Sequence, residues 1–582
     1  MKKVFVITQA KDADGAVGRL RKLGVLHVEH AQAPSGKTLA DLHEDLNLIN
    51  ETLLILSALK SRAQARPVAD WKFTCQHSLE LHKRLSHLEE YSLNLSGLIS
   101  EWQSWGDFSP EAINELAKKN IFIRLFRVPQ KAIKVFPSDA IVKVLSSSAG
   151  MANCAVISRQ PFEVPFKEIS LPKLGLEKMK ARLYEDRRLM ALIQDNLQEQ
   201  AAYLNDFKKI KQRLEKDLEF NKALSGMGQA GELKYLLGYI PVDAISNLES
   251  LAKKENLGIV IAEPEESDQV PTLIRNPRWI SLIKPVLRLL GIVPGYHELD
   301  VSLPFLFFFS MFFGILIGDA GYGLVYLLLT ILFRRRKGIT LANAGIFRLF
   351  YVLGSCAIIW GVLTGTFFGQ SWLRSLGLMP LVPRLNDPIA MQTVCFFIGA
   401  LHLSLGHIWR ALLKLPHLSA LADIGWVCVL WSAFFLARLL ILGQPFPDFA
   451  KTLLGVGIAL VVFFTSPQQN ILRTVGSGLG TLALSLMNNF TDVVSYVRLF
   501  AVGLAGVAIA ETTNTMAAGM GNGALALIPA IAIVIIGHLL NLVLGPMSVL
   551  VHGVRLNVLE FSSHANITWS GEQYRPLQEN SV

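Results

Sequence analysis

The sequence predicts an α+β cytoplasmic dumbbell, two small α/β lobes bridged by long antiparallel coiled-coil helices, followed by an all-α membrane domain of about eight transmembrane helices, the last two long and strongly tilted. Three observations carry this expectation. Charged residues concentrate in residues 1–300, whereas from Leu303 onward long apolar runs alternate with short polar loops, which sets the expected domains at 1–300 and 301–582. Leucine heptads and short strand patterns alternate in the first half. The last two apolar runs, Gly478 to Ala517 and Ala524 to Phe561, are each far longer than the roughly 20 residues that one perpendicular crossing needs.

Composition agrees. At 582 residues, 51% hydrophobic and 18% charged, with a mean hydropathy of +0.38, the chain reads as a membrane protein with a substantial soluble part. Asp12 and Asp14 interrupt any secretory apolar region, so the first half is expected to stay in the cytoplasm and insertion to begin internally. Five scattered cysteines (Cys75, Cys154, Cys356, Cys395, Cys428) without a CxxC indicate neither a zinc site nor a disulfide framework. The net charge of +10 is topological rather than a sign of nucleic acid: RRRK, Arg334 to Lys337, directly follows an apolar run. No cofactor is expected.

In chain order, Lys3 to Thr8, Asp12 to Leu23 and the strand VLHVEH form a β-α-β start. Leu42, Leu46, Ile49, Leu53 and Leu56 then mark one heptad helix, Arg66-Pro67 breaks it, and Leu81, Leu85, Leu88, Leu95 and Ile99 mark a second, with Ser92 at a core position. Ile121 to Val128 and Asn153 to Ile157 read as strands, with Pro137-Ser138-Asp139 opening a helix between them. One long helix is expected from Leu176 to Ser225, and Leu233 to Ala262 closes with strand, helix and strand, bringing the first and last β-α-β pieces together. Ala31 to Thr38, AQAPSGKT, matches a loose phosphate-loop pattern, but Pro34 and the absent early glycine argue against nucleotide binding.

In the second half, Leu303 to Phe333 is long for one crossing, and Asp319 among the glycines of GDAGYG suggests a tight hairpin of two. With the runs 346–368, 391–413, 418–442, 452–465, 478–517 and 524–561 this makes eight crossings, both termini cytoplasmic, or seven if the first run is one helix. Arg498 stands in the seventh segment. A guanidinium at bilayer depth costs roughly 2.5–17 kcal/mol and needs a partner, either a structural carboxylate or carbonyl of a neighbouring helix or a mobile charge passing it. Asn488, Thr491 and Ser495 share its face, while Asp492 and Glu511 lie off it. In the eighth segment His538, Asn541, Gly545, Ser548, His552 and Arg555 fall on one polar stripe, which serves either helix–helix hydrogen bonding or a watery path. His402 and His407 do not share a face, which makes a metal site there improbable.

IRNPRWISLIKPVLRLLGIVPGYHELD, FFFSMFFGILIGDAGYGL, SYVRLFAVGLA and HGVRLNVLEF together make the chain resemble subunit I, the membrane stator a subunit, of prokaryotic V/A-type rotary ATPases, over residues 1 to about 560. The resemblance implies a multi-pass integral protein of the cell (plasma) membrane, non-catalytic itself, whose cytoplasmic domain binds peripheral stalk subunits and whose tilted helices flank a proteolipid ring. Central-stalk and nucleotide-hydrolysing subunits would complete the complex, with the lipid bilayer around it. By motif, Arg498 would face the ring carboxylate and Arg555 would be the second arginine of ion translocation. Asn488, Ser495, His538, Asn541, Ser548, His552, Asp492 and Glu511 would be candidate half-channel lining. Eukaryotic relatives carry a glutamate where this chain has Gly545 and a histidine where it has Gly506, so their half-channel assignments do not transfer. The ion, H⁺ or Na⁺, is left open. The alternative reading is a secondary ion transporter with a cytoplasmic coiled-coil regulatory domain, and a third is a membrane-anchored scaffold; neither gives work to both the long rod and the two arginines.

Overall fold

A computed structural model describes residues 1–59, 66–148, 150–160, 162–337, 341–370, 380–465, 471–521 and 523–579. The chain divides into two compact units, one of Lys2–Ala262 with Pro576–Val582, the other of Met1 with Glu263–Arg575.

The first unit holds two sheets and four long helices. Its strands are β1 (Lys2–Gln9), β2 (His27–Glu29), β3 (Phe122–Pro129), β4 (Ile141–Ser148), β5 (Met151–Ser158), β6 (Glu168–Ile169), β7 (Gly228–Ala230), β8 (Leu233–Ile240) and β9 (Gly258–Ala262). β1 alternates strictly, turning Val4, Val6 and Thr8 into the core. It lies between β8, with Lys2 opposite Ile240, and β9, with Lys3 opposite Ala262, both antiparallel. The opening and closing strands of this segment therefore share one sheet. The helix Ala13–Leu23 covers it with Ala13, Ala16, Val17 and Leu20 and stops at Gly24, whose left-handed φ of 66° a side chain would resist.

The second sheet runs β4-β5-β3-β6. Pro137-Ser138-Asp139, expected to open a helix, instead lead through a turn into β4. The β-branched Ile141, Val142 and Val144 favour a strand, and β5 supplies its partner, with Val142 opposite Val156. Between the sheets in sequence, Lys37–Ser57 packs on Leu204–Ser225 and Trp71–Trp102 on Leu176–Gln200. Their seam buries Leu46, Ile49, Leu56, Leu85, Ile193, Leu197 and Phe207, and Ser92 is buried at the core position its spacing indicates. The single helix expected from Leu176 to Ser225 is interrupted by a 3₁₀ turn at Ala201–Tyr203, after which the second half packs on a different neighbour.

In the second unit, five described helical segments are long and apolar enough to cross a membrane: Ala344–Thr364, Pro388–Lys414, Ala420–Leu442, Leu482–Ala518 and Ala526–Ala565. A sixth is reached if Ser302–Ile317 and Ala320–Arg336, bent by 119°, form one span. The expected count of eight requires taking the two arms of that pair separately and adding Asp448–Phe464, which has only 17 residues. The last two segments, 37 and 40 residues long, are as extended as their sequence indicates. Gly318 (φ 65°) makes the 119° bend, and the fully buried Asp319 holds it by accepting N–H groups of Gly321 at 2.7 Å, Tyr322 at 3.2 Å and Gly369 at 3.2 Å. Close approach is compulsory here, because a Cβ on Gly361 would lie 2.0 Å from the Ala320 nitrogen.

After the last helix, the stretch from Asn566 packs within this unit through Glu298. The Glu298 carboxylate accepts the Thr568 amide at 2.7 Å, the Thr568 hydroxyl, and the Gly295 amide at 2.6 Å. Partial burial works to raise its pKa, but the hydrogen bonds from Thr568, Gly295 and Trp569 outweigh it and hold the group below its ordinary value. A depressed carboxylate stabilises above its unfolded pKa and loses that contribution as pH falls through the folded value. Protection of the Thr568 and Gly295 amides, read as hydrogen exchange corrected for its intrinsic pH dependence, is therefore expected to be high near neutrality and to fall as acidification protonates Glu298. E298Q should lower that protection near neutrality, where the wild-type carboxylate is charged, and remove its pH dependence; protection unchanged by either treatment would contradict the anchor.

Candidate functional site

The site begins at a helix break. Ile471–Ser495 and Val497–Ala518 meet at Tyr496, which is fully buried, its hydroxyl 2.8 Å from His402 Nδ1. His402 in turn stacks between Phe308 and Phe561, with ring centroids 3.8 and 4.4 Å away. This aromatic pile seats the break against the final helix, one residue from Glu560.

Arg498 follows two residues after Tyr496. Its Nε donates to the Ser495 carbonyl at 2.9 Å and its Nη2 pairs with Glu560 Oε1. Arg555 Nε approaches the same oxygen at 3.4 Å. The Glu560 side chain is only 5% exposed, and its second oxygen, Oε2, has no hydrogen-bond partner among the described residues. A carboxylate of the neighbouring helix, one of the partners the sequence left open, thus meets Arg498, although helical angle, which sets Asp492 and Glu511 off its face, did not point to Glu560. The cause is local: the final helix passes through two π-helical turns, Val549–Gly553 and Leu556–Phe561, and the altered register turns Glu560 inward. A carboxylate in HGVRLNVLEF was the available signal, because ionisable groups at this depth are rare unless functional.

The same π turns divide the predicted stripe, and the polar residues gather in two clusters. The first surrounds a cavity of about 530 Å³ lined by Asn488, Asp492, Arg555, Glu560, His564 and His407, among others. From it a buried hydrogen-bonded chain leads away: Asp492 Oδ2 to His564 Nε2 at 3.0 Å, His564 Nδ1 to His407 Nε2 at 2.9 Å, and His407 Nδ1 to Asp423 Oδ1 at 3.4 Å. Asp423 ends the chain on Lys414 at 2.6 Å and Arg410 at 3.4 Å. Asp492, off the Arg498 face by helical angle, joins the site through this cavity rather than through the arginine. Ser495 donates to the Asp492 carbonyl at 2.7 Å. His552 is half-buried within electrostatic reach of both arginines.

The second cluster lies along the helices on the other side of Arg498. Tyr322 bonds His538 Nδ1 at 2.7 Å, His538 Nε2 bonds Asn514 Oδ1 at 3.0 Å, and Asn541 donates to the Gly506 carbonyl at 2.8 Å. At Gly545 an added Cβ would meet the end of the Ile317 side chain at 2.6 Å, which a larger residue would have to displace. Ser548 is half-buried between the clusters, and Glu511 is exposed, joining neither by a described side-chain bond. His407 was considered in the sequence only as a metal ligand, and His564, Asp423, Tyr322 and Asn514 were not singled out; the bonds that join them to the clusters span 16 to 216 positions.

Fold and site together define a helical membrane protein with ionisable groups held between its longest apolar helices. No family profile matches the chain. V-type ATP synthase subunit I of Borreliella burgdorferi is 30% identical over 618 residues, covering 100% of this chain and 99% of that protein. V-type ATP synthase subunit I 1 of Treponema pallidum is 29% identical with the same coverage, and A-type ATP synthase subunit I of Methanocaldococcus jannaschii is 25% identical over 62% of this chain and 57% of its own length. The chain belongs to the V/A-type ATP synthase subunit I family, membrane subunits of a rotary ATPase complex.

Asp423 is buried against two cations and a histidine, so removing its charge strands them. D423N is expected to cost about 2 kcal/mol, less than the roughly 3–5 kcal/mol of a fully buried pair because Arg410 and Lys414 are part exposed. Thermal unfolding of the detergent-solubilised protein checks this; an unmoved midpoint would contradict it.

Proposed function

We propose that this chain is the non-catalytic stator subunit of its rotary complex: its membrane domain provides two ion half-channels against a ring of proteolipid subunits, and its N-terminal domain, two lobes on a helical rod in the cytoplasm, anchors the peripheral stalks. Ion movement, of H⁺ or Na⁺, is thereby coupled to ATP synthesis or hydrolysis by the nucleotide-hydrolysing and central-stalk subunits.

One observation carries this reading: Arg498 separates two polar clusters that draw on the same pair of long helices. At 1.5 Å per residue, Asp492 lies roughly 9 Å to one side of Arg498 along the helix and Asn514 roughly 24 Å to the other. A fixed positive charge between two hydrated routes blocks direct leakage, and it favours the ionised form of a carboxylate brought to it, so a bound ion leaves. Arg410 and Lys414 beside the first cluster favour the cytoplasmic face for that end, whereas residues 365–370 and 519–523 near the second carry no Lys or Arg. Two arginines at bilayer depth and a long soluble rod both have work in this reading, which the secondary-transporter alternative leaves unassigned.

In purified complex reconstituted into vesicles, Arg498→Ala is expected to keep the subunit composition, since Arg555 still faces Glu560, and to abolish ATP-coupled ion uptake. Arg555→Ala should reduce uptake less. Uptake retained by Arg498→Ala would overturn the assignment.

A further inference from the structure

The Arg498–Glu560 pair raises a difficulty for the stator reading, on which this inference rests. A guanidinium neutralised by a carboxylate of its own chain has little field left to favour ionisation of a second one. Arg498 must give up Glu560 to act on a ring carboxylate. Glu560 is equipped for release in three respects. Only one of its oxygens is held, and both arginines share it. The other oxygen, buried and without a hydrogen-bond partner among the described residues, belongs to a residue lining the 530 Å³ cavity. The backbone beneath it is a π-helical turn, a conformation common where helices must shift.

We infer that Glu560 is the internal counter-ion that Arg498 exchanges for the ring carboxylate, and that Glu560 takes the proton the ring gives up. In this step the O–H bond of the incoming ring carboxylic acid breaks and an O–H bond forms on Glu560. The ring carboxylate then pairs with Arg498, and Glu560 is neutral. One proton and one negative charge are present before and after. As the ring moves on, Glu560 passes the proton into the cavity, where Asp492, His564, His407 and Asp423 carry it away, and returns to Arg498. The inference makes the transported ion a proton, since hydrogen-bonded imidazoles relay protons and not Na⁺. The groups facing Glu560 that set its protonation are Arg498, Asp492 and the Tyr496 hydroxyl on the seventh segment, Arg555 and His564 on its own, and His407 and Arg410 of Pro388–Lys414.

The test uses the whole complex in vesicles, with ATP-driven acidification, which runs the Glu560 step in reverse, followed by a pH-sensitive dye between about pH 6 and 9. E560Q keeps shape but cannot exchange a proton; it should assemble and pump about tenfold slower or worse. E560D keeps an exchangeable proton on a shorter side chain; it should pump more slowly than the wild type but faster than E560Q, with a displaced pH midpoint. An E560Q complex pumping within about twofold of wild type, or an E560D complex with an unmoved midpoint, overturns the inference. If E560Q does not assemble, the E560D midpoint decides. Arg498→Ala in the same preparation separates the two claims: if it pumps, the stator reading fails, and if it is inactive while E560Q is normal, only the role of Glu560 fails.

Discussion

The constraint on which the membrane unit turns is the cost of keeping a guanidinium among apolar helices. Arg498 cannot shed its charge, so the surroundings must supply an anion or pay in desolvation. Glu560 supplies it, and the geometry needed to bring that carboxylate over accounts for much of the local architecture. The final helix departs from α-helical register twice within residues 549–561, Phe561 stacks on His402, and His402 holds the Tyr496 hydroxyl where the preceding helix breaks. An ordinary α-helix through this region would keep the stripe from His538 to Arg555 on one face and turn Glu560 elsewhere. The broken register is what lets two long helices serve two separate polar clusters.

The architecture was legible where periodicity was strong and contacts were short in sequence. A short apolar run marked β1, heptad leucines marked the seam of the long helices, and the two final apolar runs proved to be helical segments of 37 and 40 residues, the first broken at Tyr496. Reading failed where a short polar cluster was given more weight than its neighbours. Pro137-Ser138-Asp139 carries a helix-start signature, yet the β-branched run behind it found a ready partner in β5. The expected eight crossings depended on counting segments of 16 to 18 residues, whose standing as spans depends on packing and not on composition.

The site was legible by residue type and not by pairing. Arg498, Arg555, Asp492, His538 and Asn541 all take part in polar clusters, because a charge or amide in an apolar helix announces itself. Their partners did not follow from helical angle, since that argument assumes 3.6 residues per turn throughout. Two π turns and a break at Tyr496 invalidate it over the stretch that matters. His407, His564 and Asp423 illustrate the other limit: each looks like an isolated core polar residue in sequence, and only packing of the helices Pro388–Lys414 and Ala420–Leu442 on the chain's last helical turn joins them.

The two clusters differ in a way that bears on direction. The one holding His538 is built from neutral groups, tyrosine, amide and imidazole, and its nearest carboxylate, Asp319, has its oxygens committed to backbone N–H groups that hold a bend. The one holding Glu560 contains two further carboxylates, two histidines and three cations around a cavity. Groups that change charge readily can buffer and store a proton, whereas neutral donors and acceptors can only conduct it or its hydration. On the proposed reading, charge exchange falls on the Glu560 side of Arg498, where Arg410 and Lys414 also lie. In that reading the arginine is less a barrier between equivalent channels than a boundary between a side that would conduct and a side that would titrate.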